Sequence, residues 1–360
     1  MTDQPNRRPH LTMPPRGSRL AGAVGVAVVA AAMLAAATGA RAQAGDDFYK
    51  GKTVSIIVYT PTGSSYDIVG RAIAHYIPNY LPGQPTTIVR NMPGAGGLTA
   101  TRYLYATAPK DGTVFGTVSR GIPFEPLFGG AGSVDFDPLK FTWLGSPSRE
   151  SSLAISWHTA AVKTARDLLT TELLVAGTGA SADSETVPRA LNGLIGTKFK
   201  IISGYEGLTR ATLSIERGEI EGMAYFSWGA LKSSKPDWLR DKKINLLFQT
   251  APVPHPEIPD VPTVMSLATN DAQRQALALL FARDIVAYPF VAPPDLPPAR
   301  AAALKRAFAD VLKDAALIEG ARKAGLAIDP LNAEEAEAIV RRAFATDPAV
   351  IERTRKAMGR

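Results

Sequence analysis

The chain of 360 residues is 46% hydrophobic and 20% charged, the balance of a globular protein with room for two domains. It contains no cysteine, which excludes disulfides, thiolate metal sites, a cysteine nucleophile and a lipid-bearing cysteine. The formal charge of +7 does not describe a nucleic-acid binder: Arg7, Arg8, Arg16, Arg19 and Arg41 against Asp3 place +4 of it in residues 1–42, leaving +3 and no clustered basic run.

Those first residues read as an export signal. Arg16 and Arg19 precede an apolar, small-residue run from Leu20 to Ala37, and Ala40-Arg41-Ala42-Gln43-Ala44 offers a small-residue exit. Cleavage after residue 42 or 44 fits equally well, and an uncleaved anchor is the alternative. No later stretch is long and apolar enough to span a bilayer, so the mature protein is expected to be soluble and periplasmic.

The β-branched run Val54–Val58 is bounded by Lys52 and by Pro61 and Gly63, and predicts a strand buried on both faces. The loop Thr60–Tyr66 breaks it, and Asp67 precedes apolar residues at helical spacing (Ile68, Val69, Ala72, Ile73, Tyr76). The first N–H groups of a helix lack internal partners, so such a junction can accept an anion, although Asp67 could simply cap its helix. Pro85–Arg90 predicts a second strand, entering the loop Asn91–Gly97 and a helix from Leu98 to about Ala108; Thr113–Ser119 predicts a third, ending at Arg120. The glycines 94, 96 and 97 lack the spacing of a dinucleotide fingerprint.

Strands are then expected at 141–145, 153–156, 173–177, 199–202 and 244–248, with helices at 187–195 and 208–217. Leu173–Gly177, the loop Thr178–Ser184 and the following helix repeat the strand–loop–helix order of the first stretch. The tail predicts helices over 298–312, 316–324 and 333–345, with Arg300, Lys305, Arg306, Lys313 and Lys323 on solvated faces. The expected fold class is α/β: two lobes, each a mainly parallel sheet with flanking helices, closing on a small polar molecule. Residues 45–146 and 246–360 would form one lobe and 147–245 the other.

Five motifs occur in order: Ile57–Asp67, Asn91–Gly97, Ala108–Gly112, Gly218-Glu219-Ile220 and Ile258–Val264. Through them the sequence resembles, over residues 48–345, the Bug-type extracytoplasmic solute receptors of tripartite tricarboxylate transporters. The resemblance implies a Venus-flytrap binding protein of the periplasm, a monomer that captures a small organic carboxylate and delivers it to membrane permease subunits. It implies no cofactor and no metal. It also implies that the carboxylate is held mainly by backbone amides and ordered waters of the loop Pro61, Thr62, Gly63, Ser64, Ser65, Tyr66 and Asp67. The facing loop would offer Thr178, Gly179, Ala180 and Ser181, with Tyr205 and Gly207 nearby. The chain departs from the family pattern at Tyr59, Thr60, Ser64, Tyr66 and Met92, and its second loop lacks the Thr-His that often follows there, so the ligand is not inherited.

Arg120, at the end of the third strand, falls on the same rim as the first loop, where a guanidinium could grip a second carboxylate; pairing with Glu125 or water is the alternative. Phe226 and Trp228 could wall a cleft or sit in the core. Two rival functions share the chain. An exported enzyme would need a base beside a nucleophile, but His75, His158 and His255 have no ligand-spaced partners, and G-x-S-x-G and H-E-x-x-H are absent. A sensory receptor presenting its ligand to a membrane kinase would have the same pocket.

Overall fold

The computed structural model describes residues 1–2, 48–129, 134–179, 182–205 and 207–360. The expected export signal, beyond its first two residues, and the candidate ligand residues Ala180 and Ser181 lie outside the described residues. Tyr49–Arg360 form one unit.

Among the described residues ten strands build it: β1 (Thr53–Val58), β2 (Thr86–Asn91), β3 (Val114–Thr117), β4 (Thr142–Gly145), β5 (Ser152–Trp157), β6 (Leu173–Gly177), β7 (Phe199–Ser203), β8 (Gly222–Ser227), β9 (Ile244–Gln249) and β10 (Phe290–Ala292). They form two five-stranded sheets, ordered β2-β1-β3-β10-β4 and β7-β6-β8-β5-β9. In the first, β1 runs parallel to β2 and β3, and β10 lies antiparallel to β3 and β4. The second repeats the plan: β6 is parallel to β7 and β8, and β5 is antiparallel to β8 and β9. The expected parallel strands are therefore joined in each sheet by one reversed strand. The chain passes from first sheet to second after β4 and returns before β10.

The sequence explains the placement. Val54, Ile56, Ile57 and Val58 are fully buried, as a central strand covered on both faces requires, while β2 at the edge leaves Ile88 42% exposed. Gly116 sits where β3 meets β1; a Cβ there would stand 2.4 Å from the Ile57 carbonyl oxygen. Gly222 makes the same close approach in the second sheet, 2.1 Å from the Ile155 carbonyl oxygen. Phe226 and Trp228 are buried with Leu153, Ile155 and Leu231, so they belong to the core of the second sheet.

The helix Ser65–Tyr76 packs on β1 and β2, and Asp183–Ile195 packs on β7 and β8. The tail holds the three expected helices, Pro298–Val311, Ala315–Lys323 and Ala333–Phe344, and adds a fourth, Pro348–Ala357. This last helix does not stay with the first sheet. It packs against Asp183–Ile195, with Ala357 touching Gly193, while Arg360 binds Glu125 in two hydrogen bonds of 2.8 and 2.9 Å. Among the described residues no helix is long and apolar enough to cross a membrane.

Candidate ligand-binding site

The two strand–loop–helix junctions are built alike. After β1, the Thr60 and Ser64 hydroxyls lie 2.5 Å apart, and Ser64 Oγ accepts from the Asp67 amide at 3.2 Å. Ser64, not Asp67, is thus the N-cap, because its extended backbone (φ −73°, ψ 164°) aims the hydroxyl at the helix's first free amides. After β6, the Thr178 and Ser184 hydroxyls lie 2.8 Å apart, and Ser184 Oγ accepts from the Thr178 amide at 3.0 Å.

Asp67 is 1% exposed, and its carboxylate is saturated from within. Oδ2 accepts from the Gly63 amide at 2.8 Å and Arg71 Nε at 2.9 Å; Oδ1 accepts from Asn91 Nδ2 at 2.8 Å. Burial pushes this carboxyl up, but the bonds from Arg71, Gly63 and Asn91 outweigh it and hold the group below the usual carboxylate range. In the second junction the Gly179 amide donates to Glu185 Oε1 at 3.0 Å. The Gly63 and Gly179 amides, expected to face a ligand, each donate here to a carboxylate of their own helix. Asp67 likewise stiffens the loop instead of facing outward. Pro61, Thr62, Gly63 and Ser65 are exposed along the first rim, with Ser64 half-buried.

Tyr66 turns inward. Its hydroxyl donates to the Ala287 carbonyl at 2.7 Å, and its ring meets Tyr59 edge-on and Tyr288 at a tilt, both at 4.6 Å. Burial pushes the Tyr66 phenol well above its ordinary range. Beside it lies Arg120, the point on which both rims converge. Arg120 Nη2 donates to Asp183 Oδ2 at 3.2 Å, its Nη1 lies 3.5 Å from Asp284 Oδ1, and its guanidinium stands 5.7 Å from the centre of the Tyr225 ring. Its partners are thus Asp183 and Asp284, while Glu125 pairs with Arg360. Burial works against the Arg120 charge, yet Tyr225, Asp284, Tyr66 and Asp183 together hold it protonated beyond even the usual arginine range.

Sequence reasoning does not single out the rest of this cluster. Asp183, the first residue of its helix, also forms an ion pair with Arg283, Oδ1 to Nη1 at 3.0 Å. Asp284 is fully buried; it accepts from the Tyr225 hydroxyl and, at 2.9 Å, from Thr250 Oγ1. Glu150 lies on the crossing segment before β5, its amide bonded to the Asp284 carbonyl at 2.8 Å and Oε1 accepting from Ser227 at 2.9 Å. Burial pushes the Glu150 carboxyl up, and Arg120 and Ser227 only partly counter it. Tyr205 packs instead against the second-sheet core, and Gly207 opens its helix at φ +82° with open space beside it. A separate apolar cavity of about 40 Å³, lined by Ile68, Ile73, Leu312 and Leu317, contains none of the Arg120 cluster. Among the described residues no group of acids and histidines could hold a metal ion.

The charges of the cluster set its chemistry. Two guanidiniums (Arg120, Arg283), three carboxylates (Asp183, Asp284, Glu150) and four phenols meet where loops of both sheets face each other, an arrangement that can offer charge-assisted hydrogen bonds.

No protein-family model matches the chain. A stretch of 116 residues is 34% identical to the "UPF0065 protein in gbd 5'region" of Cupriavidus necator, covering 32% of this chain and 33% of that protein, so the match spans only a third of the curated relative's length. The chain is similar in structure to a TctC solute-binding protein from Polaromonas, solved without ligand (TM-score 0.67, 18% identity, 84% of this chain and 99% of that one). It is similar as well to MatC from Rhodopseudomonas palustris with bound malate (TM-score 0.55, 20% identity, 85% and 99%). Two like sheets with flanking helices, joined by a crossing and a return, give this chain the two-lobed periplasmic-binding-protein fold of the TctC-type solute receptors, the family its motifs resemble.

Proposed function

We propose that the protein is an extracytoplasmic solute receptor that captures a small organic carboxylate between its two lobes and passes it, unaltered, to the membrane permease of a tripartite tricarboxylate-type transporter. One lobe carries the first sheet and the other the second, β5 to β9, with the hinge in the segments that carry Glu150 and Thr250. The C-terminal helix, which touches elements of both, would keep them in register. Pro61, Thr62, Ser65, Tyr66 and Arg120 would face the ligand from one side, and Thr178 and Gly207 from the other.

The observation that carries this reading is the convergence on Arg120. A largely buried guanidinium from the first sheet's rim reaches Asp183, on the rim of the second, so a cation stands where the two rims meet and a ligand carboxylate can take the place of its acidic partner. The fold shared with malate-bound MatC supports the carboxylate class, and the fold shared with a TctC solute-binding protein supports the receptor role. The energies suffice: micromolar affinity needs about −8 kcal/mol, and charge-assisted bonds of roughly 1.5–3 kcal/mol each approach that in a closed cleft.

Native mass spectrometry of protein purified without added ligand, followed by calorimetric titration with mono- and dicarboxylates, tests the reading. A co-purified acid that binds reversibly and is recovered intact supports it. Failure of every acid to bind, or its chemical conversion, rejects it.

A further inference from the structure

The helix Asp271–Ile285 delivers Arg283 to the site, and this arginine is only partly used. Its side chain is 14% exposed, and Nη1 meets Asp183 at 3.0 Å. Nε and Nη2 are buried and have no hydrogen-bond partner among the described residues. These two nitrogens form one edge of the guanidinium, with N–H groups spaced to meet both oxygens of a carboxylate. A buried cationic donor left unpaired costs stability, and native proteins rarely keep one unless something completes it.

Asp183 stands next to that edge. One of its oxygens lies on Arg283 and the other on Arg120, the bridging position a ligand carboxylate would take. The other nearby acid, Asp284, is engaged by Tyr225, Thr250 and Arg120. The site therefore holds Asp183 and Asp284 and, beside Asp183, a two-pronged edge to which no described group hydrogen-bonds.

We propose that the Nε–Nη2 edge of Arg283 receives a carboxylate of the ligand, and that Asp183 is a built-in competitor that limits how tightly the site holds organic acids. The inference rests on the reading of the chain as a carboxylate receptor. An acid entering this edge lies beside the Asp183 carboxylate and is repelled by it, so affinity is the balance of the fork's attraction and that repulsion.

The test titrates the full-length protein and its R283K, D183N and D183N/R283K variants with malate, adipate, acetate and benzoate by calorimetry. Lysine keeps the charge of Arg283 and loses the fork, so R283K should bind the wild type's best acid about ten- to a hundred-fold more weakly. D183N should bind it about ten-fold more tightly, a gain that misfolding cannot produce, and the double variant should lose that gain. If the wild type binds an acid and R283K binds it equally well, or if the D183N gain survives in the double variant, the assignment of Arg283 is wrong and the receptor reading stands. If the wild type binds none of the acids, the receptor reading fails and this inference fails with it.

Discussion

Asp67 and Glu185 stand in the same relation to the loops that precede them. Asp67 Oδ2 accepts the Gly63 amide at 2.8 Å, Glu185 Oε1 accepts the Gly179 amide at 3.0 Å, and an arginine four residues on pairs with each, Arg71 at 2.9 Å and Arg189 at 3.5 Å. Each loop is thus tied to the first turns of its helix by a buried acid, which fixes the rim before any ligand arrives.

The first tie should be expensive to cut. Asp67→Ala strands the Gly63 amide, removes one of the two acceptors of Asn91 Nδ2 and leaves Arg71 with Asn91 but no carboxylate, so unfolding free energy should drop by about 2–4 kcal/mol. Because the folded protein holds this carboxyl below its ordinary range, its contribution is complete above about pH 4 and fades as the pH falls through the lowered value. Urea unfolding of Asp67→Asn should therefore show a smaller loss of stability on acidification than the wild type shows. Parallel curves would mean that Asp67 contributes nothing through its charge.

Gly116→Ala should damage the first sheet more than any change to its surface. The added methyl would sit 2.4 Å from a backbone oxygen of β1, and neither strand can move without breaking the ladder to β2 or β10. A loss of at least about 3 kcal/mol in a denaturant melt, or failure to accumulate as soluble protein, is the expected outcome. A wild-type melt would show that β1 and β3 are farther apart than this structure has them.

Much of this architecture is legible in the sequence because its signals are local. Val54–Val58 followed by Pro61 and Gly63 can be little other than a buried strand and its stop, and Leu173–Gly177 followed by Thr178–Ser184 repeats the pattern. The missing pieces depend on distant partners. β10 is only three residues, between Pro289 and Pro293, and becomes a strand because β3 and β4 pair with it. Helix Asp271–Ile285 buries Ala276, Leu277, Leu279, Leu280 and Phe281 at once, so no single apolar stripe marks it, and Arg283 and Asp284 go unread with it. Its start is available in Asn270, whose side chain caps the Gln273 amide at 2.9 Å, and Asp347-Pro348 similarly announces the last helix. Both loops lead into helices as their composition predicts, but their glycine amides are occupied by Asp67 and Glu185, and a single sequence does not reveal which acid folds back onto which loop.

Glu150 gives a pH prediction of the opposite sign. Its carboxyl is pushed up by burial and, less strongly, by Asp284, despite Arg120 and Ser227. A raised folded value means that the native state prefers the proton, so the group's favourable contribution is full below its unfolded value and is lost as the pH rises through the folded one. Glu150→Gln keeps an oxygen for the Ser227 hydroxyl and removes the ionisation. The variant should match the wild type near pH 4 and melt at a higher temperature than it above neutrality. A difference that is constant with pH would place the effect in packing.

Arg120 should separate binding from folding. In Arg120→Gln, Asp183 keeps Arg283, and Asp284 keeps Tyr225 and Thr250, so the network loses one partner without leaving either acid alone. Because each acid keeps other partners, stability of the unliganded protein should fall by only about 1–3 kcal/mol. A ligand carboxylate gripped by Arg120 would lose a charge-assisted pair, and its affinity should fall about ten- to a hundred-fold. The stabilisation that saturating ligand gives to the melt should shrink in proportion, since a bound state raises unfolding free energy only through its affinity for the folded protein. Should the melting temperature of the empty protein drop while affinity stays unchanged, Arg120 serves the contact between the two rims, and the ligand must be held elsewhere along them.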